Sequence, residues 1–203
     1  MTTASLTQTL LPYSGRASLY RDLLIGLVGS IALALSAQAK IPVGPVPITL
    51  QTFVLFTMAM AFGWRAAGIM VLAYWAEGLA GLPVFAGAPH ASAAVFAGPT
   101  GGFLFGFLPA AVLTGWLAEK GWDRNNFTAL AAMMLGTLLL YAFGTPWFAL
   151  FATSISQAGE VTRNGLGWSS TWQYAVQPFL IGDVVKMLAA ALIFPELWRR
   201  VKR

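Results

Sequence analysis

The sequence predicts an all-α integral membrane protein: a bundle of six transmembrane helices with both termini on the cytoplasmic side. Three observations predict it. Of the 203 residues, 58% are hydrophobic and 9% charged, against about 25% charged in an ordinary soluble domain. Six apolar stretches of near-spanning length are separated by Gly/Pro-rich or charged breaks. The Lys and Arg residues gather on every second break.

The elements follow in order. Residues 1–22 are polar and rich in Ser and Thr, and are expected at the membrane surface. They hold Arg16, Arg21 and Asp22 and no long apolar core, so no cleaved signal peptide is expected. Span one is 23–39. Residues 40–47, KIPVGPVP, carry three prolines and a glycine and must form an ordered loop. Span two is 48–62, short enough to need loop residues at its ends. Gly63, Trp64 and Arg65 make a tight turn into span three, 66–82, which carries Glu77. The apolar but broken stretch 83–102 reads as a loop folded back over the bundle, since non-helical backbone at membrane depth must be covered by protein or line a cavity. Span four is 103–118, a charged turn is 119–126, and span five is 127–149. A polar loop, 151–171, holds Glu160 and Arg163. Span six is 172–197. The spans form one domain, 23–198, ahead of a basic tail, 199–203.

Charge placement sets the orientation. Nine of the twelve basic residues fall with the termini and the 63–65 and 119–126 turns: Arg16, Arg21, Arg65, Lys120, Arg124, Arg199, Arg200, Lys202 and Arg203. The opposite loops hold Lys40 and Arg163, and Lys186 lies inside span six. The positive-inside rule puts both termini in the cytoplasm and the three long loops outside. The net charge of +5 is therefore topological and does not argue for nucleic acid.

Span six carries Asp183 and Lys186 inside an apolar run. An ionisable group at the centre of a bilayer costs about 2.5–3.5 kcal/mol on insertion scales, and so marks a functional site by default. The i,i+3 spacing puts both on one helix face, roughly 5–6 Å apart at Cβ. They read either as a ligand-binding acid and base or as an ion pair that fixes helix packing. Aromatic candidates for the pocket walls are Phe53, Tyr74, Phe85, Tyr141 and Trp147, each of which could equally be packing. Gln51 and Thr49, at the outer start of span two, could reach a ligand or cap the helix. Glu77, in the outer half of span three, needs a partner such as Lys40, a loop amide or a ligand N–H. Gly26, Ser30 and Ala34 form a row of small residues on span one, with Ala32 and Ser36 as a second row. Such rows either pack spans together or present a stripe to another membrane subunit.

No reaction signature is present. With one histidine, His90, and no cysteine, neither a Ser–His nor a Cys–His arrangement can form, and no metal or cofactor is implied. The Gly-rich GPTGGFLFG at 98–106 lacks the Lys-Ser/Thr of a phosphate loop. Asp183 and Glu77 are the only carboxylates that could form an intramembrane aspartyl pair. The chain also lacks an ATP-binding segment, so energised uptake would need a partner or an ion gradient.

Four blocks, SAQAKIPVGPVPITLQTF (36–53), GLAGLPVFAG (78–87), GPTGGFLFGF (98–107) and PFLIGDVVKMLAAALI (178–193), resemble the BioY family of biotin-specific S-components of energy-coupling-factor vitamin transporters. The stretch 88–98, APHASAAVFAG, is bulkier than the family's Gly-rich pattern. The resemblance implies an S-component bundle in the plasma (inner) membrane, biotin captured from outside, and ligand contacts on Asp183 and Lys186. It also implies two kinds of partner: a transmembrane coupling subunit (the T-component), with the Gly26/Ser30/Ala34 row as its candidate contact, and a pair of ABC-type ATPases. Biotin's chemistry fits: Asp183 can accept from a ureido N–H, and Lys186 can donate to the ureido carbonyl or pair with the valerate carboxylate. The rival readings are a stand-alone ion-coupled carrier with Asp183, Lys186 and Glu77 as a proton relay, and a membrane-embedded enzyme.

Overall fold

Apolar runs punctuated by proline and glycine become helices with tight connections in the computed structural model of the chain, which describes residues 16–86, 94–155, 161–162 and 165–201. Residues 1–15, His90, Glu160, Arg163, Lys202 and Arg203 lie outside the described residues.

Helix α1 is Arg16–Gln38. It begins well before the expected start at 23. Arg21 and Asp22 explain the extra turns: the guanidinium holds the carboxylate through Nε at 3.0 Å and Nη2 at 2.7 Å, so two charges are tolerated beside the apolar run. A two-residue ladder follows, β1 Lys40–Ile41 against β2 Ile48–Thr49, antiparallel with Lys40 opposite Thr49. The prolines expected to break helix here occupy the connecting loop.

Helix α2 spans Gln51–Leu79 but is broken at Gly63, whose φ of 84° and ψ of 176° belong to no helix. The Nε2 of Gln51 donates to Tyr74 Oη at 2.8 Å. In a straight helix these two residues would stand about 35 Å apart at 1.5 Å per residue. The chain therefore doubles back at Gly63, and residues 51–62 and 64–79 are antiparallel arms. Five helices are long and apolar enough to cross a membrane, and this reversal makes six crossings of them. At about 18 Å and 24 Å the two arms are shorter than the hydrocarbon core. Loop segments complete them, and that is where a cleft forms.

A short helix α3, Ala94–Ala97, precedes α4, Gly101–Glu119. The expected loop 83–102 thus contains one helical turn. A 3₁₀ turn, Trp122–Arg124, leads to α5, Asn126–Leu150, capped by Asn125 Oδ1, which accepts from the Phe127 amide at 2.8 Å. A second small ladder pairs β3, Ser154–Ile155, with β4, Val161–Thr162. The last span starts earlier than expected: α6, Trp168–Thr171, runs through a π-turn, Trp172–Val176, into α7, Gln177–Val201.

Helix α4 lies centrally between α2 and α5. Its Gly115 passes directly over the α2 reversal, where an added Cβ would meet the Trp64 backbone nitrogen at 2.6 Å. The core joins Leu55, Met60, Met70, Tyr74, Phe107 and Met133 from these helices. At the end of the bundle where Gly63 turns, Trp198 of α7 donates its indole N–H to Asp123 of the 3₁₀ turn. The opposite end carries both small ladders, the strap 82–86 and α3.

Candidate ligand-binding site

Helix α7 sorts its residues by face. Asp183, Met187, Ala190, Ala191, Phe194 and Trp198 are buried, while Ile181, Val184, Val185, Leu188 and Leu192 are exposed. That spacing is one stripe of a 3.6-residue helix turned into the bundle. Asp183, 7% exposed, is its first member. A cleft of about 620 Å³, open mouth included, meets Asp183 at the ladder end of the bundle.

The polar floor of the cleft is a single connected network. Asp183 Oδ1 accepts from Lys186 Nζ at 3.4 Å and from Thr52 Oγ1 at 3.4 Å. Its Oδ2 accepts from the Tyr141 hydroxyl at 2.9 Å. An ionised carboxylate has about four acceptor positions, so one remains on Oδ2. Lys186 also donates to the Thr49 carbonyl at 2.8 Å and to Thr52 Oγ1 at 3.2 Å. Its three N–H groups thus meet three oxygens, so each donor has an acceptor among the apolar spans. Thr49 Oγ1 donates to Gln51 Oε1 at 3.2 Å, and Gln51 Nε2 donates to Tyr74.

Around this floor the walls are apolar: Phe103, Phe107, Phe179, Val95 and Leu104 line the cleft with Phe85. Phe103 stands edge-on to Tyr141, with ring centroids 6.1 Å apart. The strap residue Phe85 packs its ring tip against Gly78, where a Cβ would meet the ring at 2.1 Å. Among the described residues no three His, Asp or Glu side chains converge as a metal site, so the cleft offers hydrogen bonds and apolar contact.

Of the residues expected at the site, Asp183, Thr49, Gln51, Phe85 and Tyr141 line the cleft. Lys186 and Phe53 instead line a smaller adjoining cavity of about 210 Å³ beneath Thr52. Tyr74 is fully buried behind Gln51. Trp147 stays outside the cleft: its indole N–H donates to the Gly98 carbonyl at 3.0 Å, pinning the segment that follows α3. Glu77 is apart from Asp183 and Lys186; it accepts from Ser30 of α1 at 2.5 Å, rather than from Lys40 or a loop amide.

The small-residue row turns Gly26 and Ser30 towards the bundle. Gly26 faces Ile69, where a Cβ would come within 2.4 Å of Cγ2, and Ser30 is fully buried. Ala34 packs against the core, and Ser36 of the second row is buried as well. Gly26 and Ser30 seat α1 on the 64–79 arm, while Ala32 and Ala34 stay half-buried. The reason is Glu77: its carboxylate needs a donor, and Ser30 supplies it only if that face turns inward.

Thr52 and Phe179 were not anticipated. Thr52 could have been: Thr49, Gln51 and Thr52 place three polar side chains at the head of an apolar run, more than a cap requires. Nothing local to Phe179 distinguishes it from a lipid-facing aromatic.

A sequence profile described as the BioY family matches residues 5–203. The biotin transporter BioY of Rhodobacter capsulatus is 38% identical over 178 residues, covering 84% of this chain and 88% of its own length. The biotin transporter BioY of Thermotoga maritima is 34% identical over 174 residues, covering 85% of this chain and 93% of its own. A crystal structure described as the S-component for biotin from an ECF-type ABC transporter superposes with a TM-score of 0.72 over 92% of this chain and 95% of that one. Its identity of 24% carries the likeness of fold.

Proposed function

The chain belongs to the BioY family, and on that premise we propose that the cleft at Asp183 holds biotin. The protein is a multi-pass membrane transport subunit and not an enzyme. It captures biotin for uptake as the substrate-binding component of an ECF-type transporter. The observation that carries the site is the spare acceptor on Asp183 Oδ2 at the floor of an otherwise apolar cleft. Biotin offers the complement: a fused apolar ring system whose ureido group presents two N–H donors.

Lys186 serves the site from behind. Its three donors already meet Thr49, Thr52 and Asp183, so it holds the carboxylate in place. The valerate carboxylate is left to the mouth of the cleft. Partners follow from the family. A pair of ABC-type ATPases supplies the ATP hydrolysis, and a transmembrane coupling subunit contacts a surface other than the buried Gly26 and Ser30. The protein resides in the plasma membrane with both termini cytoplasmic, and biotin enters from the outside. Glu77, tied to Ser30, is not contiguous with Asp183 and Lys186, which removes the support for a proton relay through all three.

The test is equilibrium binding of labelled biotin to the purified protein. Asp183→Asn replaces the ionised acceptor and places an N–H₂ where donors converge. A charge-assisted hydrogen bond contributes about 1.5–3 kcal/mol, so the affinity falls at least about tenfold. Unchanged affinity in this variant removes Asp183 from the site.

A further inference from the structure

Tyr74 makes no contact with the cleft, yet its hydroxyl sits between a main-chain carbonyl and a cleft side chain. Tyr74 Oη donates to the Val84 carbonyl at 3.1 Å and accepts from Gln51 Nε2 at 2.8 Å. A carbonyl oxygen can only accept, so the single hydroxyl proton is committed to Val84. The Tyr74 oxygen is then limited to accepting, and Gln51 must turn its N–H₂ towards it. Gln51 Oε1 consequently points the other way, towards Thr49 Oγ1 and the cleft. The Val84 carbonyl is itself fixed in place, because Phe85 is seated on Gly78 and stands edge-on to Tyr74, with centroids 5.2 Å apart.

We propose that Tyr74 is a positioning residue: it transmits the polarity of the Val84 carbonyl to Gln51, so that the cleft presents a second acceptor, Gln51 Oε1, beside Asp183 Oδ2. The cleft is thereby matched to a ligand with two N–H donors, such as a cyclic urea, and set against ligands that present acceptors there. This inference rests on the biotin reading of the site. The amide of an isolated glutamine can flip at little cost. Here a flip would oppose the amide oxygen to a hydroxyl oxygen with no proton left to share, and the buried pair would be unsatisfied.

The experiment is a double-mutant cycle on biotin affinity with Tyr74→Phe and Gln51→Ala. Phenylalanine keeps the ring and its contact with Phe85 and loses only the hydroxyl. The expected result is a loss of about tenfold for Tyr74→Phe in the unmodified protein, and less than about twofold in the Gln51→Ala background. A role confined to scaffolding would cost the same in both backgrounds, so an additive cycle overturns the inference. Unmodified protein that binds biotin with an additive cycle sinks this inference alone; unmodified protein that ignores biotin sinks the site reading and this inference with it. A companion variant needs no change at Tyr74. Gln51→Met is nearly isosteric but offers no amide acceptor to the cleft, and it is expected to weaken biotin about tenfold. Wild-type affinity in Gln51→Met overturns the inference whether or not Tyr74→Phe folds.

Discussion

Lys186 is the residue whose removal tells most about the site. Its ammonium is enclosed by the Thr49 carbonyl, Thr52 Oγ1 and Asp183 Oδ1 at 2.8, 3.2 and 3.4 Å. Removing one partner of a buried charged pair costs about 3–5 kcal/mol, because the other charge stays behind. Lys186→Met keeps most of the volume and leaves Asp183 and Thr49 short of a donor. A large drop in melting temperature in detergent is expected, together with loss of biotin binding. A variant as stable as the parent that still binds biotin would show that Lys186 is dispensable to the network. The lining of the cleft makes a separate prediction for the other end of biotin. Among the described residues none that lines it is cationic, so biotin methyl ester should bind within about fivefold of biotin, the most that a solvated ion pair contributes. A hundredfold loss in competition binding would place a cation at the carboxylate. The acid and base at i,i+3 were legible in the sequence because both act from one helix face. The partner that saturates Lys186 was not. Thr49 is 137 positions away, and no periodicity reports that a lysine will find a main-chain carbonyl on another element.

At the scale of elements, the reversal at Gly63 decides how many times the chain crosses the membrane. Its φ of 84° with ψ of 176° is open to glycine alone, and an added Cβ would sit 2.2 Å from Glu119 Oε1. Gly63→Ala should destabilise the fold by about 1–3 kcal/mol, the usual strain of forcing a side chain into such a conformation; unfolding in mixed micelles measures it, and an unaltered midpoint would mean the turn relaxes elsewhere. Gly63-Trp64-Arg65 was readable as a turn because glycine and a charge interrupt two apolar runs. The long spans were readable for the same reason. The one-turn helix α3 was not, since it depends on a tertiary contact, the hold of Trp147 on Gly98. A second element makes a pH prediction. In the 3₁₀ turn, burial pushes the Asp123 carboxyl up from 3.8 to about 6, outweighing the opposing Trp198 hydrogen bond and the Arg124 charge. The folded protein therefore holds this proton more tightly than the unfolded chain. Stability from this group is full below about pH 4 and is lost as pH rises through 6. Asp123→Asn removes the titration, so its melting temperature relative to the parent should climb between pH 4 and 6 and level off above. A difference that is flat across that window would mean the carboxyl titrates normally.

For the whole molecule, the two ends of the bundle differ in charge, and that difference carries the proposed orientation. One end gathers Arg65, Lys120, Arg124 and Arg199, and there three cations lie over tryptophan rings: Arg65 on Trp64 at 5.3 Å, Lys120 on Trp116 at 5.3 Å and Arg124 on Trp198 at 4.7 Å. Tryptophans at helix ends mark a membrane–water boundary, and an excess of Lys and Arg marks the cytoplasmic one. The cleft lies at the other end, beneath the β1–β2 loop and the strap 82–86, where the described basic residue is Lys40. The orientation of the bundle and the side from which biotin arrives are therefore one question. The chain has no cysteine, so single substitutions can answer it without a background reaction. Val43→Cys, in the loop beside the cleft, should react with a membrane-impermeant maleimide added to intact cells. Lys120→Cys should stay unlabelled in cells and react in inverted vesicles. The opposite pattern would place the cleft in the cytoplasm, where a vitamin site serves no uptake, and would overturn the direction of transport along with the topology.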